Sequence, residues 1–221
     1  MKAFLNWSGG KDSAWCLYRA AEAGLMPSAL VTSVNGEQGR IAMHGVRREV
    51  LERQAEAIGL PLYTVELPAE PSMEAYEQEI SRSNQLLKEQ GFTHALFGDL
   101  FLQDLKEYRQ RLYEKDGIEC LFPLWKMDTT ELLHQFIGSG FRAIIVCVNS
   151  ALLDQSFCGR IIDHQFLQDL PASVDPCGEN GEYHSFVFDG PLFRFPVFFQ
   201  KGDVVSRRYM GSGFHFCDLL P

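Results

Sequence analysis

The stretch NWSGGKDSAW, residues 6–15, sets two hydroxyls, two adjacent glycines, an ammonium and a carboxylate between a short apolar run and a helix-like one. Gly9 and Gly10 permit a backbone in which successive N–H groups line one concavity. A helix starting just after them adds its own unsatisfied N–H groups and the positive end of its dipole. Such a concavity holds an anion. Lys11 supplies a full positive charge, Ser8 and Ser13 supply hydroxyl donors, and Asp12 is placed to hold a magnesium ion accompanying a polyphosphate. Together these are the parts of a nucleotide phosphate site. The competing reading is a plain strand-to-helix turn capped by a serine or aspartate, which has no use for both hydroxyls, the lysine and the paired glycines at once. The spacing is not that of the common G-x-x-x-x-G-K-[ST] loop, because Leu5 stands in place of its first glycine and Asp12 in place of its hydroxyl residue. GSGFRA and GSGFHF lack the third glycine of a dinucleotide fingerprint, and the first reads better as a helix stop before a strand.

Other clusters carry chemistry. GENGEYH brings Glu179, Glu182 and His184 together, flanked by Asp175 and Asp189, on a glycine-rich loop entering a strand. Two carboxylates and an imidazole can orient an amine nucleophile, accept its proton or hold magnesium, although a solvated turn has the same composition. LLDQSFCGRIID places Arg160 between Asp154 and Asp163, as a structural ion-pair network or a substrate grip. His44 and Gly45 open a predicted helix, where an anion would meet N–H groups or where the chain is simply capped. Gly98 and Asp99 end a predicted strand on the same sheet edge as SGGKDS, so Asp99 is a candidate for nucleotide or metal contact. His94, His134 and His164 have no ligand-spaced partner and read as structural or surface residues. Phe193, Phe195, Phe198 and Phe199 read as core, since basic residues are sparse among them.

The elements that must position these groups follow from periodicity. KAFLNW, SALVTSV, LYTVEL and THALFGD read as strands, followed by helices over 13–23, 46–58, 73–90 and 105–115. That alternation predicts a parallel sheet. Ala14, Leu17, Tyr18 and Ala21 form the apolar stripe of the first helix, and Gly24 is placed to end it. RAIIVCVN reads as another buried strand behind the helix TTELLHQFI, with Thr129 as its N-cap. Beyond it the chain is richer in glycine, proline and aromatics, with strand-like runs YHSFVFDG, RFPVFF and DVVSRRYM. This predicts an α/β part over residues 1–125 and a smaller α+β part over 126–221.

Bulk properties narrow the class. The 221 residues are 46% hydrophobic and 22% charged, enough for a sizeable core. No run approaches the roughly 20 apolar residues that cross a bilayer, and the N-terminus lacks a secretory h-region, so a cytoplasmic protein without a membrane partner is expected. A net charge of −9 argues against wrapping nucleic acid. The six cysteines are dispersed, with no C-x-x-C pair, which indicates neither zinc nor a disulfide framework.

SGGKDS behind an N-terminal strand resembles the PP-loop of the ATP pyrophosphatases, which cleave ATP to AMP and pyrophosphate while activating a carbonyl or carboxyl oxygen. MHGVRREVLERQAEAIGLPL, FGDL, PLW, LLDQSFCGRIID and, most specifically, DPCGENGEYHSFVFDGPLF resemble the diphthine–ammonia ligase family over nearly the whole chain. The resemblance implies a Rossmann-like parallel sheet of the adenine nucleotide alpha-hydrolase-like kind. It also implies an amide ligase that adenylates a carboxylate with ATP and lets ammonia displace AMP. On this reading ATP, with magnesium at Asp12, binds Ser8, Gly9, Gly10, Lys11, Asp12, Ser13, His44, Gly98 and Asp99. Lys11, Asp12, Glu182 and His184 are catalytic, and Asp154, Arg160, Asp163, Glu179 and Glu182 face the acceptor. The acceptor is a protein-borne diphthine or a small metabolite carboxylate. E-N-G-E-Y-H stands here in place of the E-G-G-E-[FY]-E of diphthamide-making members, the form associated with bacterial relatives, which points to a metabolite such as a corrinoid precursor. Ammonia comes free or from a partner, and a homodimer is compatible with the pattern. Two other readings stand beside this one: sulfur insertion into tRNA, which fits less well without a cysteine pair or an RNA-binding domain, and a non-catalytic ATP-sensing module.

Overall fold

The computed structural model describes residues 1–41, 44–68, 70–209 and 211–221, with Tyr209 described by its backbone. Met43, which opens one of the stretches above, and Met210, which ends the last predicted strand, lie outside the described residues. The chain divides into two compact units: Met1–Ser8, Asp12–Ala42 and Leu60–Lys126 form one, and Gly9–Lys11, Met43–Gly59 and Met127–Pro221 form the other. In order, the elements through residue 121 are β1 (Ala3–Asn6), α1 (Lys11–Glu22), β2 (Ala29–Asn35), β3 (Arg40–Ile41), α2 (Arg48–Ile58), β4 (Leu62–Leu67), α3 (Met73–Glu89), β5 (His94–Leu96), α4 (Gln103–Glu114) and β6 (Glu119–Leu121).

The first unit is built on the expected parallel sheet. Its strands pair β4-β2-β1-β5-β6, all parallel, and short β3 adds antiparallel to the end of β2. The chain builds outward from β1 on one side through β2 and β4, then returns to the other side with β5 and β6. The order therefore reverses at β1, the place where ligands of open α/β sheets bind beyond the carboxyl ends of the strands. The loop after β1 and the Gly98–Asp99 turn after β5 leave that same edge. Helix α1 starts at Lys11, two residues ahead of expectation, so Lys11 and Asp12 stand in its first turn. Gly24, at a φ of 72°, ends it, and Leu25 N–H returns to the Ala20 carbonyl at 2.8 Å. Buried Phe4, Phe92, Phe97 and Tyr113 centre the core, Phe97 and Tyr113 edge to face at 5.0 Å. The Tyr113 hydroxyl donates to Asn6 Oδ1 at 2.8 Å, which satisfies the polar end of a buried ring.

The second unit carries α5 (Thr129–Gly138), β7 (Arg142–Asn149), α6 (His164–Asp169), β8 (Tyr183–Asp189), β9 (Gln200–Tyr209) and β10 (Ser212–Leu220), together with α2. Its sheet runs β8-β7-β10-β9 and is antiparallel throughout. Central β7 is apolar and buried from Ala143 to Val148, as expected of a strand covered on both faces. Three details differ from the sequence reading. The N-cap of α5 is Asp128, whose carboxylate accepts from Glu131 N at 2.9 Å, and Thr129 is the first helical residue. RFPVFF is irregular and not a strand: Pro196 has no N–H to give a ladder, and Val197 N alone bonds the Phe188 carbonyl, at 2.7 Å. Phe195 and Phe198 are exposed, while Phe199 packs edge-on to Phe186 and Phe188, so this aromatic run is core only in part. Short β6 and the glycine- and histidine-bearing β10 escaped the periodicity.

Phe97 is 1% exposed and Phe198 is 79% exposed. Urea denaturation is expected to show a loss of about 3–5 kcal/mol for Phe97→Ala and of less than about 0.5 kcal/mol for Phe198→Ala. Comparable losses in the two would show that the first-unit core is not where stability resides.

Candidate functional site

The loop after β1 is held at its centre by the second unit's own elements. Gly9 takes a φ of 78°, and a Cβ added there would lie 2.9 Å from Gln54 Oε1, so both conformation and space require glycine. Its carbonyl accepts from Val187 N at 2.9 Å and from Gln54 Nε2 at 2.9 Å, and the same amide nitrogen donates to the Val187 carbonyl at 2.5 Å. Lys11 N donates to Ser185 Oγ at 3.1 Å. The three central residues are thus laid against β8 and clamped from α2. Within the first unit, the hydroxyls of Ser8 and Ser13 lie 3.1 Å apart, and Asp12 is half-buried in the first turn of α1. Gly98 is explained by proximity: a Cβ there would fall 2.9 Å from the Asp12 carbonyl oxygen, so glycine lets the turn after β5 approach the start of α1.

Lys11 is 2% exposed. A buried ammonium is costly unless hydrogen-bonded, and here Nζ donates to the Cys177 carbonyl and lies 5.1 Å from the centre of the Tyr183 ring, whose negative face favours a cation. The carbonyl is presented by the loop that runs to Glu182. Asp175 accepts from Cys177 N at 3.1 Å and Glu179 N at 3.0 Å, the Tyr183 hydroxyl donates to the Pro176 carbonyl, and Cys177 Sγ contacts the Thr129 carbonyl at 3.3 Å. Glu182 is itself 2% exposed. Its oxygens accept from Asp175 N at 3.0 Å, Asn180 N at 2.9 Å and Asn180 Nδ2 at 3.2 Å. A carboxylate engaged this way organises a turn. Glu182 therefore acts on Lys11 at one remove, by fixing the loop that offers Cys177, and Glu179 is half-buried on that same loop.

His184 lies against His44, ring centres 4.6 Å apart and planes tilted by 40°. Burial, then the charges of His44 and Lys11, push its pKa well below 6.5, so the imidazole stays neutral at physiological pH. Gly45, at a φ of 70°, lies against Phe216, where a Cβ would come within 2.9 Å of the ring. The remaining candidates have partners of other kinds. Asp99 is 8% exposed and bonded to Arg109 at 2.9 Å. Asp154 caps the short 3-10 turn Gln155–Phe157 through Ser156 N at 2.9 Å, and hydrogen bonding from the Ser156 side chain first, then from its backbone, holds its pKa low. Asp163 caps α6 through Phe166 N at 2.7 Å. Arg160 pairs with Asp169 at 2.7 Å and with neither acid of its own stretch. Among the described residues no group of three or more His, Cys, Asp or Glu is arranged to hold a metal.

The sequence reading missed Gln54, Ser185, Tyr183 and the Cys177 carbonyl. Only Gln54 left a signal: it interrupts the apolar stripe of α2 formed by Val50, Leu51, Ala55 and Ile58, and it is fully buried. A carbonyl or a strand serine leaves no such trace.

The geometry defines an α/β unit with a glycine-rich loop at the point where strand order reverses, and an antiparallel unit that includes Gly9–Lys11 and in which Lys11 is buried. The comparisons with known proteins narrow this. Residues 1–120 match the family described as "Diphthamide synthase N-terminal domain" and residues 128–212 the one described as "Diphthamide synthase C-terminal domain". This chain belongs to the diphthamide synthase family. It is 27% identical to the diphthine–ammonia ligase of Bos taurus over 90% of this chain and 83% of that one. The diphthine–ammonia ligase of Schizosaccharomyces pombe is 25% identical, over 94% of this chain and 37% of that protein. A solved structure described as a predicted subunit of tRNA methyltransferase from Methanocaldococcus jannaschii covers 85% of this chain and 96% of its own, with a TM-score of 0.47 and 16% identity.

Gln54→Leu removes the side-chain donor that the Gly9 and Val187 carbonyls share, leaving Gly9 only its bond from Val187 N, and is expected to cost about 1–3 kcal/mol in thermal denaturation. An unchanged midpoint would remove Gln54 from the clamp. His184 makes stability pH-dependent. Its folded pKa is depressed, so below 6.5 the unfolded chain takes up a proton that the folded chain refuses, and stability is lost as pH falls through that value. Denaturation across that range is expected to show a shallower loss for His184→Gln than for the parent; parallel profiles would refute the assignment.

Proposed function

We propose that this chain is an ATP-dependent amide ligase that adenylates a carboxylate, releases pyrophosphate and lets ammonia displace AMP. The observation that carries the proposal is Lys11: an ammonium placed on the anion-holding loop, buried and held in position by the Cys177 carbonyl. Family membership supports the same reaction, since the relatives are named for diphthine and ammonia.

In this reaction residues 8–13 bind the phosphates of ATP, with Lys11 countering the charge that grows as the bond to the α-phosphorus breaks toward pyrophosphate. A carboxylate oxygen of the acceptor attacks that phosphorus and becomes the acyl adenylate. Ammonia then adds to the acyl carbon, AMP leaves with the bonding pair, and the nitrogen loses a proton. Neutral His184 has a lone pair for that proton, and Glu182 is a positioning residue that holds the loop beneath Lys11. Magnesium suits Asp12, because this ion takes one or two carboxylates and completes its shell with phosphate oxygens and water and so needs no protein cage. The E-N-G-E-Y-H form favours a small carboxylate metabolite over protein-borne diphthine as acceptor. The cytoplasm suits six cysteines that are all buried free thiols.

The test is product analysis with Mg-ATP, ammonium and a panel of acids. AMP and pyrophosphate are expected in step with amide, and ADP with phosphate would overturn the proposal. ATP binding without turnover on any acid or on diphthine-bearing protein would favour a sensing module. Lys11→Ala is expected to weaken ATP binding or turnover about tenfold or more, the equivalent of a charge-assisted phosphate contact. Glu182→Gln turns an amide N–H toward donors and is expected to raise the KM for ATP in the same direction, as a residue acting through Lys11 would.

A further inference from the structure

A pocket of about 390 Å³ lies at the β9–β10 hairpin of the second unit, lined by Ser150, Ser206, Arg207, Arg208, Phe214 and His215 with glycines 211 and 213. None of these residues belongs to the nucleotide loop or to the clamp around Lys11. Arg207 and Arg208, neighbours on the edge strand β9, both line the pocket. Both arginines are exposed, and among the described residues neither forms an ion pair.

Two adjacent guanidiniums without a counter-charge repel each other, and they do so in a chain of net charge −9 that has carboxylates to spare. The other groups around them are hydrogen-bonding partners for an anion. Ser206 Oγ and His215 Nδ1 lie 2.8 Å apart, which fixes the imidazole beside the arginines. Ser150 Oγ occupies the space that a Cβ on Gly213 would need, at 2.5 Å, so glycine there keeps the hydroxyl in the wall. Phe214 pairs across the strands with Arg207 and supplies an apolar surface. Asp154 lies close enough to feel the charge of His215, but its carboxylate accepts from Ser156 N as a cap.

We propose that this pocket is a second anion site, which takes a small dianion of the dicarboxylate or phosphate class through the forks of Arg207 and Arg208 and rests its apolar part on Phe214. Planar forks match carboxylate and phosphate oxygens alike, so the two classes share this chemistry. The proposal stands independently of the ligase reading.

The test is titration of the ¹⁵N-labelled full chain, separately with inorganic phosphate and with succinate, followed by amide shifts along β9 and β10. Saturable shifts with either anion, weakening as salt rises, are expected, and the anion that binds tells the class. In Arg207→Ala/Arg208→Ala the affinity is expected to fall by about tenfold or more, as loss of charge-assisted pairs implies. In Lys11→Ala it is expected to stay unchanged, which separates this site from the nucleotide loop. Failure of both anions to bind, binding that survives the double substitution in a folded chain, or binding lost with Lys11→Ala would each overturn the proposal.

Discussion

The ammonium of Lys11 is the point on which the second unit's arrangement depends. A lysine this deeply buried requires a carbonyl and a π face to offset lost hydration, and both come from the segment between residues 175 and 183. That segment in turn needs a folded turn to aim the Cys177 carbonyl. Glu182 and Asp175 provide it by collecting backbone N–H groups that would otherwise be stranded away from water. Two glycines, three carboxylates and a tyrosine within nine residues are therefore parts of one device, directed at one cation.

The anchoring of Gly9 follows the same logic. Its carbonyl and that of Val187 share the Gln54 amide, so helix α2 reports on the loop and on strand β8 together. This accounts for the grouping of Gly9–Lys11 with the second unit while Ser8, Asp12 and Ser13 belong to the first. It also explains the glycine at position 9: the positive φ strains any side chain there, and a Cβ would push the Gln54 oxygen out of the clamp. Gly98 serves a different need, close approach of two backbones in the first unit.

Functional chemistry and capping chemistry use the same residue types, and only geometry separates them. Asp154, Asp163 and Glu182 look alike in sequence as acids near an arginine or a histidine. In the structure the first two satisfy the orphan N–H groups of helical turns, and the third satisfies those of a loop. Asp99, placed just beyond the carboxyl end of β5, is bound by Arg109 from ten residues along the chain, on α4.

The sequence by itself determined the parallel sheet, the loop after β1 and its lysine, because alternating hydrophobic periods and a glycine-rich strand-to-helix turn are local signals. It also determined the family, whose motifs are contiguous stretches. Tertiary structure alone decided that Lys11 is buried, that Glu182 holds a turn, that Arg160 takes Asp169, and that RFPVFF is not a strand where Pro196 interrupts it. It decided as well that Ser185, Cys177 and Gln54 converge on Gly9 and Lys11 from as far as 174 residues away. The physical reason is that a hydrogen bond is settled by where two groups meet in space. A carbonyl oxygen carries no residue-type signature, so its role is legible only once the chain has folded around it.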